Sequence, residues 1–227
     1  IIRRYSNLKG PGGVSRADIS SSTLLTNRPT ALKVSPFGKT LYAGTRNGRL
    51  LRITNPDVSF PSWADITGPG FLGSISDVEF GATENDIFVT FHNYGTTSVW
   101  YTNNGNSATP TWQNKEGDLP DLPVKAILMN PLNSNQVILG TDIGVWGTSN
   151  FNDASPTWSQ SQNGMKDVQI TSFDLRISDN TVLASTYGRG MFTGVFSAED
   201  DNIDSDGDGI LDNVDNCPDT ANADQAD

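Results

Sequence analysis

Short apolar runs rich in β-branched and aromatic residues recur along the chain at near-constant intervals. Four of them begin 46, 50 and 45 residues apart, and each follows a turn and an earlier segment of alternating character. Runs of this length bounded by turn residues predict antiparallel strands joined by hairpins. The runs are 41–45, 87–91, 137–141 and 182–186, and the earlier segments are 31–34, 75–80, 124–129 and 170–177.

A second landmark keeps the same period. Trp63, Trp112 and Trp158 each lie two residues after a proline and are 49 and 46 residues apart. Self-similarity at a fixed interval of this length is typical of repeat architectures. The segment 137–158 shows the unit, which holds an apolar strand, a Gly-containing turn, a second strand and a polar loop ending in Trp158.

The sequence therefore predicts an all-β chain of about four antiparallel sheets, arranged as the blades of a β-propeller. Complete four-stranded units are expected at 30–66, 73–117 and 122–163, whereas 168–196 supplies three strands and no tryptophan-bearing fourth. This last blade is expected to be incomplete, or closed by a strand from the beginning of the chain, which would remove its open edge.

Residues 1–29 fit the repeat less well than the rest of the chain. We expect 1–5 and 17–25 to be partial strands of a preceding blade. The chain is then interpreted as the C-terminal part of a larger propeller, because an incomplete ring leaves strand edges unpaired and blade faces uncovered.

Residues 30–198 resemble the sortilin-like, Asp-box (BNR) β-propellers. The resemblance rests on the period, on 140–146 (GTDIGVW), on 185–192 (STYGRGMF) and on the loops that precede each tryptophan. The family's box reads Ser/Thr-x-Asp-x-Gly-x-Thr-Trp, and the loops here are longer, with the aspartate replaced by asparagine or absent. The resemblance implies propeller blades in which this box is a structural turn and not a catalytic site.

Composition and charge separate a neutral body from an acidic tail. The 227 residues are 35% hydrophobic and carry a net charge of -11, and 199–227 holds 11 acidic residues and no Lys or Arg. No basic cluster predicts a nucleic-acid partner. No apolar run approaches the roughly 18 residues that cross a bilayer. The chain begins with Ile, so the true N-terminus is expected to lie upstream.

The tail carries the sharpest chemical signal. Carboxylates stand at positions 1, 3, 5, 9 and 12 of a loop with glycine at position 6. Alternate carboxylates along a tight loop supply the hard oxygen ligands that Ca²⁺ requires, and the glycine permits the turn. The predicted Ca²⁺ ligands are Asp204, Asp206, Asp208, the Ile210 backbone carbonyl, Asp212 and Asp215.

The residues after this loop distinguish it from an EF-hand, which would continue into a helix. Position 12 is Asp215, followed by Asn216-Cys217-Pro218. Residues 199–227 therefore resemble a truncated thrombospondin type 3 repeat. The resemblance implies a calcium-stiffened stalk, a disulfide partner for Cys217 in the next repeat, and further repeats with an anchor or sorting domain downstream. Disulfides and weak calcium loops are typical of secreted or cell-surface proteins.

No catalytic set emerges from the sequence. His92 follows a strand in a polar loop, and Tyr187 with Arg189 lacks the three arginines that sialidases use. Asp142 and Asp174 are glycosidase candidates only if they form a pair at a defined separation. We assign no catalytic residue to this chain.

Two functional classes remain open. The favoured one is an extracellular binding or adhesion module whose propeller face takes a polysaccharide or protein ligand and whose stalk binds Ca²⁺. The alternative is the C-terminal part of a secreted, xyloglucanase-like glycoside hydrolase with its catalytic carboxylates upstream.

Overall fold

The fold is all-β and built from repeated antiparallel sheets. The computed structural model describes residues 1–161, 165, 167–198, 205–210, 215–217 and 219–225. Every regular element in these ranges is a strand, so the predicted all-β blade architecture is confirmed. Within the described ranges, no helix is long and apolar enough to cross a membrane.

The strands follow one another in the order of the repeat. They are β1 (Ile2–Ser6), β2 (Ser15–Ile19), β3 (Pro29–Val34), β4 (Thr40–Thr45), β5 (Leu50–Thr54), β6 (Ser62–Asp65), β7 (Ile75–Phe80), β8 (Ile87–Phe91), β9 (Val99–Thr102), β10 (Gln113–Asn114), β11 (Val124–Asn130), β12 (Asn133–Thr141), β13 (Gly144–Thr148), β14 (Ser159–Ser161), β15 (Ile170–Arg176), β16 (Thr181–Thr186) and β17 (Met191–Val195).

Consecutive strands form meander sheets. Blade 1 is β3-β4-β5-β6, blade 2 is β7-β8-β9-β10, and blade 3 is β11-β12-β13-β14. Blade 4 is the three-stranded sheet β15-β16-β17, and β1 pairs with β2 in a separate two-stranded sheet. In the described part of the chain, neither β1 nor β2 pairs with β17, so closure of blade 4 by an N-terminal strand is not the arrangement found.

The first strands of the blades line the inside of the array. β7 contacts both β3 and β11, and β11 also contacts β15. All four first strands carry a register shift near their beginning, at Thr30, Ser76, Lys125 and Thr171. A bulge bends its strand and increases the twist. The same irregularity therefore recurs at the equivalent place in all four blades.

The cores lie between neighbouring blades. Between blades 1 and 2, Tyr42 and Leu50 pack against Ile87 and Val89, and all four are at most 1% exposed. Positions with the same register fill the next interface, where Phe88 and Val99 meet Val137 and Leu139. Burying each such side chain stabilises the fold by about 1.5–3 kcal/mol. The blades therefore depend on each other for their cores.

The N-terminal segment follows the repeat more closely than its sequence suggested. The strand expected at 17–25 ends at Ile19, because Ser21 forms a turn in which its hydroxyl accepts a hydrogen bond from the amide of Leu24. The pairing Arg4↔Ala17 in β1-β2 corresponds to Arg52↔Ala64 in β5-β6. The segment is thus a third and fourth strand, and its sequence signal is the match of 15–19 (SRADI) to 62–66 (SWADI).

Long basic side chains form hydrogen bonds between neighbouring blades. Arg52 donates from Nη1 to the carbonyls of Gly105, at 2.7 Å, and Ser107, at 2.9 Å. Lys115 donates from Nζ to the carbonyls of Phe151, at 3.0 Å, and Asp153, at 2.6 Å. Each pair of carbonyls lies seven and five residues before the tryptophan of the next blade.

The same contact is found at the N-terminal hairpin. Arg4 donates from Nη1 to the carbonyls of Pro56, at 2.8 Å, and Val58, at 3.0 Å. These carbonyls also lie seven and five residues before Trp63. A cation from the preceding sheet therefore holds the loop before the tryptophan in all three complete blades.

Candidate functional site

Three carboxylates of the acidic tail lie together. Asp206, Asp208 and Asp215 each offer a carboxylate oxygen within 4.8 Å of the others, and all three side chains are partly buried. Two stretches that are separated in sequence, 205–210 and 215–225, supply these groups. Carboxylate oxygens this close to one another can share a divalent cation.

Local hydrogen bonds shape the first stretch. The amide of Asp208 donates to Asp206 Oδ1 at 3.2 Å, and the amide of Ile210 donates to Asp208 Oδ1 at 2.8 Å. Gly209 has φ +93, a conformation that side-chain-bearing residues rarely adopt. Position 6 of the predicted loop therefore has a backbone conformation that glycine favours.

The second stretch is tied to the first by its backbone. The amide of Asn222 donates to Asp208 Oδ2 at 2.6 Å. Asp215 Oδ1 accepts from the amide of Cys217 at 2.8 Å and from Nε2 of Gln225 at 3.0 Å. These donors orient two of the three carboxylates toward each other.

The surroundings of Asp215 Oδ2 indicate whether a cation fits this site. Less than 1 Å² of the atom is accessible, and no hydrogen-bond donor contacts it among the described residues. A buried carboxylate oxygen without a donor is costly, and a bound cation satisfies it. The donor set is all oxygen, which suits Ca²⁺.

The remaining predicted ligands are placed only in part. Ile210 follows Asp208 within the described stretch, and its carbonyl remains a predicted ligand. Asp204 and Asp212 lie outside the described residues. Cys217 is present as a free thiol and is partly buried.

A second charged group lies on the inner strands, and the sequence analysis did not identify it. Asp77 and Glu79 point from β7, and Lys33 of β3 forms an ion pair with Glu79. Asp77 accepts from the amides of Val78, at 2.8 Å, and Ile127 of the next blade, at 3.2 Å. Burial raises the pKa of Asp77 to about 6, and the negative charge of Glu79 adds to this effect. Alternation along β7 was the one sequence signal that could have placed these two acids on one face.

Three residues considered for catalysis, His92, Asp142 and Tyr187, each directly follow the second strand of a blade, and the charge of His92 contributes to lowering the pKa of Asp142. Asp142 forms an ion pair with Lys125 at 2.8 Å. Burial raises the pKa of Asp142, but hydrogen bonds from Lys125 and Gln169 outweigh burial and hold this pKa below its usual value. His92 and Asp174 are exposed, and so are Tyr187 and Arg189 near the β16-β17 turn.

The degenerate loops before the tryptophans keep a common geometry. Asn104 Oδ1 accepts from the hydroxyl of Thr102 at 2.6 Å and from the amide of Thr111 at 2.8 Å. Asn150 makes the same contacts with Thr148 and Thr157, at 2.8 and 2.9 Å. A single side-chain oxygen closes each loop, so asparagine serves here as the acceptor.

Comparisons with known proteins support the propeller fold and identify no family or function. No protein-family profile matches the chain, and no curated protein matches it by sequence. The chain is similar to the crystal structure of the Myceliophteria thermophila Cps50 (Swd1) β-propeller domain, with a TM-score of 0.52 and 11% identity over 70% of this chain. The match spans 49% of that domain, about half its length. The chain therefore has a β-propeller fold.

Proposed function

We propose that this chain is a binding module of a secreted or cell-surface protein, in which propeller blades precede a stalk ordered by Ca²⁺. The propeller supplies a rigid scaffold for a polysaccharide or protein ligand, as β-propellers suit this role. The acidic tail follows the pattern of a thrombospondin type 3 repeat. Because it comes after the blades, it would act as a spacer between the ligand-binding scaffold and an anchoring segment.

The observation that carries the proposal is the convergence of Asp206, Asp208 and Asp215. Their oxygens lie within 4.8 Å of one another, and Asp215 Oδ2 is buried without a donor in the described structure. When bound, Ca²⁺ supplies the positive charge that offsets the mutual repulsion of these carboxylates. The chain's part is to hold the oxygens, through the amides of Ile210, Cys217 and Asn222.

Calorimetric titration of the intact chain tests the proposal. We expect saturable Ca²⁺ binding with a dissociation constant in the range of about 10⁻⁴–10⁻³ M, as in other extracellular calcium modules, and weaker binding of Mg²⁺. Asp215→Asn retains the acceptor for the amide of Cys217 but removes one charge, and we expect at least roughly tenfold weaker binding.

Asp219→Asn is the matched control, because Asp219 belongs to the same segment but not to the carboxylate cluster. We expect its affinity to stay within about twofold of that of the wild type. Absence of Ca²⁺ binding in the millimolar range, or equal losses in Asp215→Asn and Asp219→Asn, would contradict the proposal.

A further inference from the structure

The residue that directly follows the second strand occupies an equivalent place in each of the four blades. These residues are Arg46, His92, Asp142 and Tyr187. In blades 1, 2 and 4, the amide of this residue donates to the carbonyl just before the first strand, at 3.0, 3.0 and 2.8 Å. The four residues therefore belong to one end of the array, where the two inner strands of each blade meet.

Blade 3 differs from the other blades at this end. The register shift of the first strand falls on a hydroxyl residue in blades 1, 2 and 4, and each of these hydroxyls donates to a backbone carbonyl. In blade 3 the shift falls on Lys125, which forms an ion pair with Asp142. Their side chains are only 17% and 25% exposed, and the desolvation of two charges costs free energy that a hydroxyl does not. The other blades form without such a pair, so the fold by itself does not require it.

The Asp142 carboxylate is held by one of its two oxygens. Lys125 Nζ lies 2.8 Å from Oδ1, and Gln169 Nε2 donates to the same oxygen at 2.6 Å. In the described part of the chain, no hydrogen bond to Oδ2 is found. An ammonium group has three N–H donors, so Lys125 can donate to a further acceptor. A fixed acceptor oxygen thus lies beside an ammonium donor and an amide donor.

Two exposed aromatic side chains belong to the same end of the blades. His92, in blade 2, is exposed and lies close enough for its charge to act on Asp142. Tyr187, in blade 4, is 76% exposed, and its amide donates to the carbonyl of Gln169. An imidazole can donate and accept hydrogen bonds, and a phenol adds a flat apolar surface with a hydroxyl at its tip. Three blades thus contribute polar groups and an aromatic ring to one surface.

We propose that the cluster of His92, Lys125, Asp142, Gln169 and Tyr187 binds an uncharged pyranose unit of a polysaccharide. This assignment rests on the binding role proposed above and gives that role a ligand class and a surface. Lys125 offsets the charge of Asp142, so an anionic ligand would be repelled by the carboxylate and a cationic ligand by the ammonium group. Neighbouring sugar hydroxyls can donate to Asp142 Oδ2 and accept from Lys125, while the Tyr187 ring covers the apolar face of the sugar.

Affinity electrophoresis of the intact chain tests the proposal. The native gels contain one of three uncharged polysaccharides, dextran, galactomannan or mixed-linkage β-glucan, and polygalacturonate serves as the anionic comparison. We expect at least one uncharged polysaccharide to retard the chain in a concentration-dependent way, and polygalacturonate to leave its mobility unchanged. The proposal is overturned if none of the three retards the chain, or if polygalacturonate retards it as strongly as they do.

Two variants address the carboxylate and the ring separately. Asp142→Asn keeps the size of the side chain but removes its charge and one acceptor oxygen, and we expect binding at least about tenfold weaker. Tyr187→Ala removes the exposed ring, and we expect binding about fivefold weaker. Phe37→Ala is the matched control, because Phe37 is 80% exposed and lies in the β3-β4 turn, at the opposite end of the strands. Its retardation should equal that of the wild type.

Thermal melting of each variant establishes that it is folded. Asp142→Asn leaves Lys125 without its partner, so Tyr187→Ala keeps the test decisive if the first variant does not fold. Equal retardation of Tyr187→Ala and Phe37→Ala would overturn the assignment of the site. Calcium titration of the same chain separates this proposal from the stalk. Ca²⁺ binding without retardation would remove only the saccharide ligand, and retardation without Ca²⁺ binding would remove only the stalk.

Discussion

The protonation of Asp77 should make the stability of the propeller depend on pH. Its side chain is partly buried on β7, between the Lys33-Glu79 ion pair and the amide of Ile127. Burial, assisted by Glu79, raises its pKa from 3.8 to about 6. Because the folded chain binds this proton more tightly than the unfolded chain, Asp77 contributes stability that is present below pH 4 and lost as pH rises through about 6.

The size of this effect follows from the shift in pKa. Each unit corresponds to about 1.4 kcal/mol, so the shift from 3.8 to about 6 gives about 3 kcal/mol. This is an upper figure, since the side chain keeps some contact with solvent. Other carboxylates also titrate in this range, so the effect has to be isolated by a difference between two proteins.

Asp77→Asn provides that difference. The free energy of unfolding is measured with urea for the wild type and the variant at intervals between pH 4 and pH 8. Asp77 accepts hydrogen bonds from the amides of Val78 and Ile127, and Asn has one acceptor oxygen for these two donors. The variant should therefore be destabilised by an amount that does not change with pH. On top of this offset, the advantage of the wild type should shrink by about 2–3 kcal/mol between pH 4 and pH 7.

Glu79→Gln tests the cause of the shift. Removing the neighbouring negative charge should lower the pKa of Asp77 and reduce the pH-dependent change. A difference between wild type and Asp77→Asn that is constant with pH, or one that grows as pH rises, would refute this account of Asp77.

Three further substitutions test contacts between blades, each by urea unfolding. Lys115→Met leaves the carbonyls of Phe151 and Asp153 without their donor and should lower the free energy of unfolding by about 2–4 kcal/mol. The control Lys39→Met, at an exposed position, should cost under about 0.5 kcal/mol, and equal effects of the two substitutions would contradict the interblade role of Lys115. Trp112→Phe loses the hydrogen bond to the carbonyl of Ile66 and part of the indole packing, and should cost about 2 kcal/mol; a neutral result would show that this position between blades 1 and 2 tolerates any aromatic ring. Gly117→Ala should cost more than about 3 kcal/mol or prevent folding, because the added Cβ would lie 1.8 Å from the carbonyl oxygen of Pro156, and near-wild-type stability would show that this loop moves freely.

Local sequence patterns predicted the main strands of blades 1–4 and their grouping. The runs at 75–80 and 87–91 coincide with β7 and β8, because a buried strand is an uninterrupted apolar or alternating run bounded by turn residues. The repeat interval of 45–50 residues corresponds to one blade, because each blade repeats the same order of strands and turns. The N-terminal hairpin was underestimated, since a five-residue match such as 15–19 to 62–66 is informative only once pairing shows that the two segments share a register.

In the acidic tail, the spacing of residues predicts local backbone conformation but not contacts between distant positions. Asp206 and Asp208 alternate along the chain and Gly209 follows them; the positive φ of Gly209, +93°, is a local property that glycine favours. The contact between Asp208 and the amide of Asn222 joins positions 14 residues apart, and no local rule places that amide.

Contacts between blades were decided by the tertiary structure. Lys115 reaches carbonyls 36 and 38 residues further along the chain, and the pKa of Asp77 depends on Lys33 and Ile127 of two different neighbouring blades. A cavity of about 180 Å³ beside β17 is lined by side chains of both blade 3 and blade 4. A periodic sequence determines which face of each strand is apolar, because that property is local. Which cation, carbonyl or cavity meets that face depends on how the sheets are placed around a common axis.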